Sequence, residues 1–324
     1  MKAIIRQAYG DIEHLMIKEV ANPIPNDNQI LIKVKAFGIN RAEIYMRKGL
    51  WGDVATISGI ECVGTVEQDP SGTLPTGQKV AAIMGGMGRT INGSYAEYVC
   101  VPKSNVMPIE TTLNWAELAA IPESYLTAYT CLFDNLKLKS KETLAIIGGT
   151  SALGQAAINL AVEAGIDVIA TTRNKDNIAF LESLGVKKVF INVENLSKQI
   201  RIIAPQGIDA VLDIVGNTTL LDSLKMVKKG GTVCNAGFLG GGDPIDFNPL
   251  TDMPSGVNLN FFASFLFGTP DFQLSSKILQ QIINKAEQNR FNCKPTHQFN
   301  FDEIQQAHSV MESNTALGKI AVVL

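Results

Sequence analysis

Residues 144–161 read LAIIGGTSALGQAAINLA, an apolar run followed by a group of small residues and then a segment with helical spacing. In a dinucleotide-binding turn, glycines permit the turn, let the backbone approach the pyrophosphate and close the packing of helix against strand. The N terminus of the helix then faces the negative charge. Gly149, Ser151 and Gly154 occupy the three glycine positions of G-x-G-x-x-G, so serine replaces the middle glycine.

This turn predicts a phosphate-binding site, and a purely structural corner between a strand and a helix is the alternative. A strand precedes the turn and a helix follows it, which is the context that the motif requires. A nucleophile elbow, G-x-S-x-G, is excluded because residue 153 is leucine. The residues that we expect to bind the cofactor here are Gly149, Thr150, Ser151, Ala152, Leu153 and Gly154.

The stretch after Lys141 alternates between short apolar strands and helices. This alternation is typical of βαβ units, in which helices cover both faces of a parallel sheet. It therefore predicts a doubly wound α/β domain. The expected strands are 143–149, 168–172, 188–191, 210–215 and 231–237, and the expected helices are 151–164, 176–184, 197–203 and 218–227.

The first hundred residues contain the half-alternating, β-branched patterns of strands, at 30–36, 77–83 and 95–101. From about Asn114 the apolar residues follow helical spacing, with Pro122 at a boundary or a kink. We expect a β-rich domain first, then the α/β domain, with the tail returning to the first domain. The tail has helices near 273–288 and 302–312 and a final strand at 319–324.

The chain has 324 residues, an apolar fraction of 46% and a formal net charge of −3. This length and apolar fraction suit two domains, and the acidic balance argues against a nucleic-acid surface, which needs an excess of Lys and Arg. The sequence has no stretch of about 18 apolar residues and no signal peptide, which predicts a protein that does not enter a membrane. Its five scattered cysteines, without a C-x-x-C pair, predict reduced thiols in the cytoplasm.

The residues after the second strand of the α/β domain indicate which dinucleotide binds. NAD-binding chains usually place Asp or Glu there to bind the ribose 2′-hydroxyl, whereas residues 169–175 read IATTRNK and contain no acid. Thr171, Thr172, Arg173 and Lys175 suit a dianionic 2′-phosphate, which arginine binds in a fork. NADP(H) is therefore favoured over NAD(H), and a solvated arginine at a strand end is the alternative.

Eight stretches form a specific pattern when their order and spacing are taken together: AFGINRAEIYMRKG (36–49), SGIECVGTV (58–66), GQKVAAIMGG (77–86), NGSYAEYVCVP (92–102), AAIPESYLTAYTCL (119–132), GGTSALGQAAINLA (148–161), DIVGN (213–217) and GKIAVVL (318–324). With these stretches the chain resembles the medium-chain dehydrogenase/reductases, and more closely the zinc-independent NADPH:quinone oxidoreductases of the zeta-crystallin-like group. The resemblance covers nearly the whole length. It implies a GroES-like β-rich catalytic domain at 1–122, completed by 266–324, and a Rossmann NADP(H)-binding domain at 123–265.

Zinc is where the chain departs from the alcohol-dehydrogenase branch of that family. Catalytic zinc needs three protein ligands drawn from Cys, His and carboxylates. By the resemblance, a ligand cysteine of the zinc-dependent relatives falls at Asn40, their ligand histidine at Ile60 and their third ligand at Glu123. The lobe with four closely spaced cysteines is missing, and the three histidines are far apart in sequence. We therefore expect no metal site.

Without a metal, hydride transfer is easiest to an acceptor that delocalises the incoming charge, such as a quinone or an α,β-unsaturated carbonyl. The resemblance implies that Asn40 positions substrate or cofactor, that Tyr45 donates a hydrogen bond to the acceptor oxygen and that Trp51 stacks on a flat quinone. Ordinary burial of aromatic surface is the alternative for Tyr45 and Trp51. Further cofactor contacts are expected from the helix that enters the Rossmann domain, from two loops at strand ends and from the tail: Thr127, Val215, Gly216, Gly237, Phe238, Leu239 and Lys319.

The apolar segment FFASFLF (261–267) predicts either a dimer interface or a core strand. The leading hypothesis is an NADPH-dependent, zinc-independent reductase of quinones or enones that forms a homodimer. An enoyl-thioester reductase with the same fold and a non-catalytic NADPH-binding protein are the alternatives.

Overall fold

The computed structural model of the protein describes residues 1–191 and 195–324. It divides into unit 1, which contains Met1–Leu126 and Ser264–Leu324, and unit 2, which contains Thr127–Ala263. The sequence predicts one domain at 1–122 with 266–324 and another at 123–265, and these limits lie a few residues from the bounds of the two units. That the units are separate domains stays a prediction.

The described residues form the following elements in chain order. The strands are β1 (Lys2–Arg6), β2 (Leu15–Glu19), β3 (Gln29–Ile39), β4 (Glu61–Gln68), β5 (Lys79–Ile83), β6 (Tyr98–Pro102), β7 (Val106–Pro108), β8 (Thr143–Ile147), β9 (Asp167–Thr172), β10 (Lys188–Ile191), β11 (Ile208–Asp213), β12 (Val227–Asn235), β13 (Asn258–Phe261), β14 (His297–Asn300) and β15 (Ile320–Val323). The helices are α1 (Arg41–Arg47), α2 (Trp115–Ala119), α3 (Pro122–Tyr129), α4 (Ala152–Glu163), α5 (Ile178–Ser183), α6 (Leu196–Ile203), α7 (Leu220–Met226), α8 (Pro249–Asp252), α9 (Ser276–Glu287) and α10 (Ile304–Glu312).

Unit 1 is built on strands from both ends of the chain. Its main sheet has the order β14-β15-β3-β4-β5-β7, with β6 also on β3, and β1 pairs with β2 in a separate hairpin. The tail therefore returns to the N-terminal unit, as the sequence predicts. In this pairing Ile320 of β15 lies opposite Ile39 of β3, so Lys319 is brought beside Asn40 at the start of α1.

Unit 2 is a parallel sheet with the order β10-β9-β8-β11-β12-β13. Numbered within the unit, this order is 3-2-1-4-5-6, the doubly wound Rossmann arrangement, and the predicted α/β domain is confirmed. The strand order reverses between β8 and β11. Ligands of such sheets bind outside the carboxyl ends of the strands at this reversal.

Three local predictions need correction or refinement. Pro122 begins α3 and does not kink a longer helix, because proline suits the first turn, where its missing N–H is not needed. The helix expected at 218–227 is α7, which ends at Met226, since Val227 already pairs in the sheet. The segment 261–267 is not a core strand: β13 ends at Phe261, a short 3₁₀ turn follows, and Phe261 is 54% exposed.

Among residues 1–191 and 195–324, no helix has both the length and the apolar character needed to cross a bilayer.

Candidate functional site

The glycine turn of unit 2 joins β8 to α4 and presents backbone N–H groups at the helix start. Ser151 is the N-cap of α4, and its hydroxyl accepts a hydrogen bond from the Gly154 N–H (3.0 Å) and donates one to the Gly148 carbonyl (2.8 Å). In the described part of the chain, the N–H groups of Ala152 and Leu153 have no acceptor. Together with the helix dipole, these two donors suit a phosphate oxygen. The serine in the middle glycine position thus caps the helix.

Gly154 is required by the close packing of this turn. A Cβ on Gly154 would lie 2.9 Å from the carbonyl carbon of Gly149 and closer still to the Gly148 carbonyl oxygen. Gly148 itself has a φ of +96°, in the left-handed region that favours glycine. The glycines therefore bring backbone against backbone, which is what a turn that approaches a pyrophosphate needs.

Thr171 and Thr172, at the end of β9, hold the turn and the strand end in place. The Thr171 hydroxyl accepts a hydrogen bond from the Gly148 N–H (3.0 Å), and its carbonyl accepts one from the Gly149 N–H (3.0 Å). The buried Thr172 hydroxyl bonds to both backbone groups of Asn174, at 3.2 Å. The Thr171 hydroxyl accepts in its contact with Gly148, and the contacts of Thr172 and of the charged residues that follow with a 2′-phosphate stay predictions.

Arg173 and Lys175 directly follow β9, and both side chains are exposed. Neither forms an ion pair with a carboxylate in the part of the chain that the structure describes. They stand at the strand next to β8, beside the glycine turn, where the ribose end of a dinucleotide lies in this fold.

Asp213 is fully buried at the end of β11 and organises the loop that follows. Its carboxylate accepts hydrogen bonds from the N–H groups of Val215 (3.0 Å) and Gly216 (2.9 Å) and from the hydroxyls of Thr219 (2.8 Å) and Ser223 (2.7 Å). Burial raises the pKa of Asp213, and these hydrogen bonds oppose that rise. The sequence analysis did not single out this residue, although it lies in the DIVGN stretch.

Asn235, which ends β12, ties a second loop to the first. Its amide Nδ2 donates to the carbonyls of Asp213 (3.0 Å) and Gly237 (3.0 Å), and the Leu239 N–H donates to the Ile214 carbonyl (3.2 Å). The structure therefore brings one set of predicted cofactor residues together on two adjoining loops at the carboxyl edge of the sheet: Val215, Gly216, Gly237, Phe238 and Leu239.

Two further predicted threonines of unit 2, Thr127 and Thr150, differ in their surroundings. Thr127 is buried in α3, whereas Thr150 is half-buried in the glycine turn and its carbonyl accepts a hydrogen bond from Gln155 Nε2 (3.0 Å). Their contacts with a cofactor stay predictions.

In unit 1, a buried cluster surrounds the start of α1, and Lys319 is at its centre. The Lys319 ammonium lies 2.5 Å from Glu61 Oε1 and 2.5 Å from Asn40 Oδ1. The Asn40 Nδ2 donates to the same Glu61 oxygen (2.9 Å), and the Glu123 N–H donates to Glu61 Oε2 (3.1 Å). Gly38 leaves the room for this contact, since a Cβ there would lie 2.9 Å from Lys319 Nζ.

The two charged groups of this cluster, the Lys319 ammonium and the Glu61 carboxylate, are buried. The side chains of Lys319 and Glu61 are 5% and 1% exposed. Burial acts to lower the pKa of Lys319, but the charges of Glu61 and Glu123 and the Glu61 hydrogen bond outweigh it, so the pKa is raised above its ordinary value. Lys319 is therefore a permanent cation that fixes the orientation of the Asn40 amide.

Glu43, in the first turn of α1, is the second buried acid beside Asn40. Its carboxylate accepts hydrogen bonds from the Asn40 N–H (2.8 Å) and the Ile60 N–H (3.0 Å). Burial raises the pKa of Glu43 to about 7, although the Ile60 hydrogen bond and the Lys319 charge lower it. The carboxyl group is thus poised between its two protonation states near neutral pH.

The donor set at this cluster does not fit catalytic zinc. The positions at which the resemblance implies zinc ligands are Asn40, Ile60 and Glu123, and the Ile60 side chain has no donor atom. The Asn40 amide oxygen is already bound to the Lys319 ammonium, a cation that would repel a metal ion. In the residues that the structure describes, no group of three or more His, Cys, Asp and Glu side chains is arranged to hold a metal.

Tyr45 and Trp51 form an aromatic pair next to α1. Their ring centroids are 5.6 Å apart with an interplanar angle of 49°, Tyr45 is half-buried and Trp51 is 42% exposed. Burial raises the pKa of Tyr45, partly offset by Arg41, so its hydroxyl stays protonated and can donate a hydrogen bond. Trp51 is thus partly buried, and the roles of both rings in binding an acceptor stay predictions.

Unit 1 thus gathers the predicted residues Asn40, Tyr45 and Trp51 around one helix, together with Lys319, which was expected at the cofactor. The structure gives the Lys319 ammonium protein partners in unit 1, and its contact with a cofactor stays a prediction. Sequence reasoning missed Glu43 and the role of Glu61. Only Glu61 carried a signal, because it follows Gly59-Ile60 where zinc-dependent relatives have Gly-His-Glu.

Comparison with known proteins gives the family. The protein-family model described as alcohol dehydrogenase GroES-like domain matches residues 26–111. The family model described as zinc-binding dehydrogenase matches residues 152–280. The quinone oxidoreductase of Lama guanicoe is 27% identical over 340 residues, which covers 100% of this chain and 98% of the relative. The quinone oxidoreductase of Homo sapiens is 27% identical over 335 residues, with the same coverage.

Solved structures share the fold over the whole chain. A mycobacterial protein, Rv1454c, solved in complex with NADPH, superposes with a TM-score of 0.87 at 22% identity, covering 100% of both chains. The CurK enoyl reductase superposes with a TM-score of 0.83 at 20% identity, covering 99% of this chain and 98% of the other. With the GroES-like and Rossmann parts both matched, the chain belongs to the medium-chain dehydrogenase/reductase superfamily and is an oxidoreductase of the quinone oxidoreductase type.

Proposed function

We propose that this protein transfers a hydride from NADPH to a quinone or an α,β-unsaturated carbonyl, and that it does so without zinc. The observation that carries the proposal is the buried Lys319–Glu61–Asn40 cluster, in which an ammonium is bound to Asn40, the position at which the resemblance implies a zinc ligand in the zinc-dependent relatives. A fixed protein cation there leaves hydride transfer to depend on acceptors that delocalise charge themselves.

The residues of unit 1 supply hydrogen-bond donors for such an acceptor. Tyr45 is protonated and half-buried in α1, so its hydroxyl can donate a hydrogen bond to a carbonyl oxygen on which negative charge develops. The Asn40 amide uses one N–H for Glu61 and offers its other N–H in a fixed direction, because Lys319 holds its oxygen. The reduced nicotinamide supplies the hydride when the cofactor is bound.

The preference for NADPH rests on the end of β9. Arg173 and Lys175 are exposed and without a carboxylate partner in the described chain, and no acid stands where NAD-binding chains bind the ribose 2′-hydroxyl. Solved structures that share the fold include one in complex with NADPH and one named as an NAD-dependent alcohol dehydrogenase, so they support a nicotinamide dinucleotide, and the choice of NADPH rests on Arg173 and Lys175.

A single substitution tests this preference. Arg173→Ser should lower kcat/KM for NADPH by about 10- to 100-fold, the value of a charge-assisted hydrogen bond to a phosphate, and should affect NADH far less. Lys198→Ser, which removes an exposed charge from the same unit, is the matched control. If Arg173→Ser lowered kcat/KM equally for NADPH and NADH, Arg173 would stabilise the fold and would not bind the 2′-phosphate.

The activity itself is tested by NADPH consumption with an ortho-quinone and with a simple enone, each with and without a chelator. We expect turnover that the chelator does not change. Activity that a chelator abolishes and zinc restores would contradict the metal-free proposal.

An enoyl-thioester reductase is the second candidate, because the CurK enoyl reductase shares the fold over nearly the whole chain. Crotonyl-coenzyme A in the same assay decides between the two: faster turnover of the thioester than of the quinone favours this candidate. NADPH binding without turnover of any acceptor would favour a non-catalytic binding protein.

We also propose that the protein is a homodimer that pairs through β13. This strand is the edge of the parallel sheet, and its Leu259 and Phe261 are 38% and 54% exposed, which is unusual for an edge that stays in solvent. A second copy, adding its own β13, would cover these side chains. Sedimentation measures the mass in solution and tests this.

A cytoplasmic location is proposed on the cysteines. All five lie in the described residues and are thiols not joined in disulfides, and three of them, Cys62, Cys131 and Cys234, are buried, which fits a reducing compartment.

A further inference from the structure

A group that the proposed function does not yet use lies beside the Tyr45–Trp51 pair. The Arg89 guanidinium stands over two aromatic rings of unit 1, with its Cζ 5.5 Å from the Trp51 ring centroid and 4.8 Å from the Phe265 ring centroid. Trp51 and Phe265 are 42% and 51% exposed. We call Tyr45, Trp51, Arg89 and Phe265 the Arg89 cluster.

The backbone of Arg89 is fixed, whereas its charge is not compensated by an acid. Its N–H donates to the Gly86 carbonyl (3.0 Å), and its carbonyl accepts from the Ala55 N–H (2.9 Å). Within residues 1–191 and 195–324, no carboxylate forms an ion pair with its guanidinium. Cation–π contacts hold this charge in place, and in the described part of the chain its guanidinium N–H groups donate no hydrogen bond to the protein.

This arrangement combines the two features that recognise a flat anion. The partly exposed rings of Trp51 and Phe265 offer stacking surface, and the guanidinium that stands over both rings offers in-plane donors that match a sulfonate or a carboxylate in a fork. Because Trp51 also contacts Tyr45 (5.6 Å between ring centroids), a ring stacked on Trp51 would lie close to the Tyr45 ring as well.

We propose that the Arg89 cluster determines acceptor specificity, and that Arg89 selects planar acceptors that carry a negative charge. This inference rests on the proposed function, since it names the class of quinone that the same site takes. Arg89 here is a specificity residue: it binds the substituent of the acceptor and takes no part in the transfer of the hydride.

The test compares 1,2-naphthoquinone with 1,2-naphthoquinone-4-sulfonate, using the full chain and NADPH. The two quinones differ in intrinsic reactivity, so the measured quantity is the ratio of their kcat/KM values in each variant relative to wild type. Arg89→Gln should lower the relative preference for the sulfonate by about tenfold, because that factor corresponds to the loss of one charge-assisted hydrogen bond. The change should lie mainly in the KM for the sulfonate. Arg89→Lys keeps the charge without the fork and should recover part of the preference.

Lys18→Gln is the matched control, because it removes one exposed charge from unit 1 on β2, which is not part of the cluster. It should leave the ratio unchanged. A ratio that Arg89→Gln leaves unchanged would overturn the proposal. The proposal would also be overturned if Arg89→Gln lowered the turnover of a coenzyme A thioester alone, because Arg89 would then bind a phosphate group of coenzyme A and not a planar acceptor.

A binding measurement separates this inference from the proposed activity. Titration with 1-naphthalenesulfonate, a planar anion that cannot be reduced, should quench the fluorescence of Trp51, and Arg89→Gln should weaken this binding by about tenfold. Weakened binding without turnover of any quinone by the wild type would keep the anion site and refute the reductase. Equal binding by the wild type and Arg89→Gln would refute the anion site alone.

Discussion

The buried pair of Lys319 and Glu61 gives the sharpest prediction for unit 1. Lys319→Met keeps the length of the side chain and removes its charge. Among the described residues, this leaves the Glu61 carboxylate, which is 1% exposed, with the N–H groups of Asn40 and Glu123 as its remaining partners. Removal of one partner from a buried ion pair costs about 3–5 kcal/mol, because the remaining charge is neither hydrated nor compensated. We therefore expect Lys319→Met to lower the free energy of unfolding of unit 1 by that amount.

Two further variants separate the charge from the packing. Replacement of both members of a buried pair is often close to neutral, so Lys319→Met combined with Glu61→Gln should be more stable than Lys319→Met alone, by about 2 kcal/mol. Lys48→Met is the control: its ammonium also lies 2.5 Å from a carboxylate, that of Glu312, but it is 45% exposed. An exposed pair contributes about 0–1 kcal/mol.

Urea unfolding followed by tryptophan fluorescence is the assay, because the chain has two tryptophans and both, Trp51 and Trp115, lie in unit 1. The reasoning is refuted if Lys319→Met costs less than about 1 kcal/mol, the range of an exposed pair. It is also refuted if the double variant is no more stable than the single one, since the loss would then come from packing and not from an uncompensated charge.

Two other predictions follow from the same units. Burial raises the pKa of Glu43 from 4.5 to about 7, so its contribution to stability is present below pH 4.5 and is lost as the pH rises to 7. Burial lowers the pKa of His308 from 6.5 to about 3, so its contribution to stability is present above pH 6.5 and is lost as the pH falls below that value. These two contributions should offset each other between pH 4.5 and 6.5. In the variant His308→Gln, which lacks the second contribution, the urea concentration at the unfolding midpoint should decrease as the pH is raised from 4.5 to 7. A midpoint in that variant that does not change with pH would contradict the role of Glu43. In unit 2, Gly154→Ala should weaken NADPH binding at least about tenfold in a fluorescence titration, because its Cβ would meet backbone atoms of the turn at 2.9 Å or less. Gly242→Ala, where a Cβ meets nothing within 4 Å, should bind normally, and equal binding by both variants would contradict the predicted contact.

The sequence by itself determined the architecture of unit 2. The alternation of short apolar runs with helical segments after Lys141 predicts parallel strands joined by helices, and right-handed crossovers leave few ways to arrange them. The glycine turn could be located for the same reason: only residues without bulky side chains permit its backbone contacts. These are local features, which hydrophobic period and glycine placement specify.

The tertiary structure alone decided the partners of the buried charges. Lys319 and Glu61 are 258 residues apart, and the pairing of β15 with β3 brings them together. Nothing in the pattern around Lys319 distinguishes a lysine that binds a cofactor phosphate from one that binds a carboxylate. Arg89 and Phe265 meet in the same way across a long separation. Sequence spacing predicts which groups can be present, but contacts between distant segments depend on strand pairing and burial, and these decide which charges are compensated.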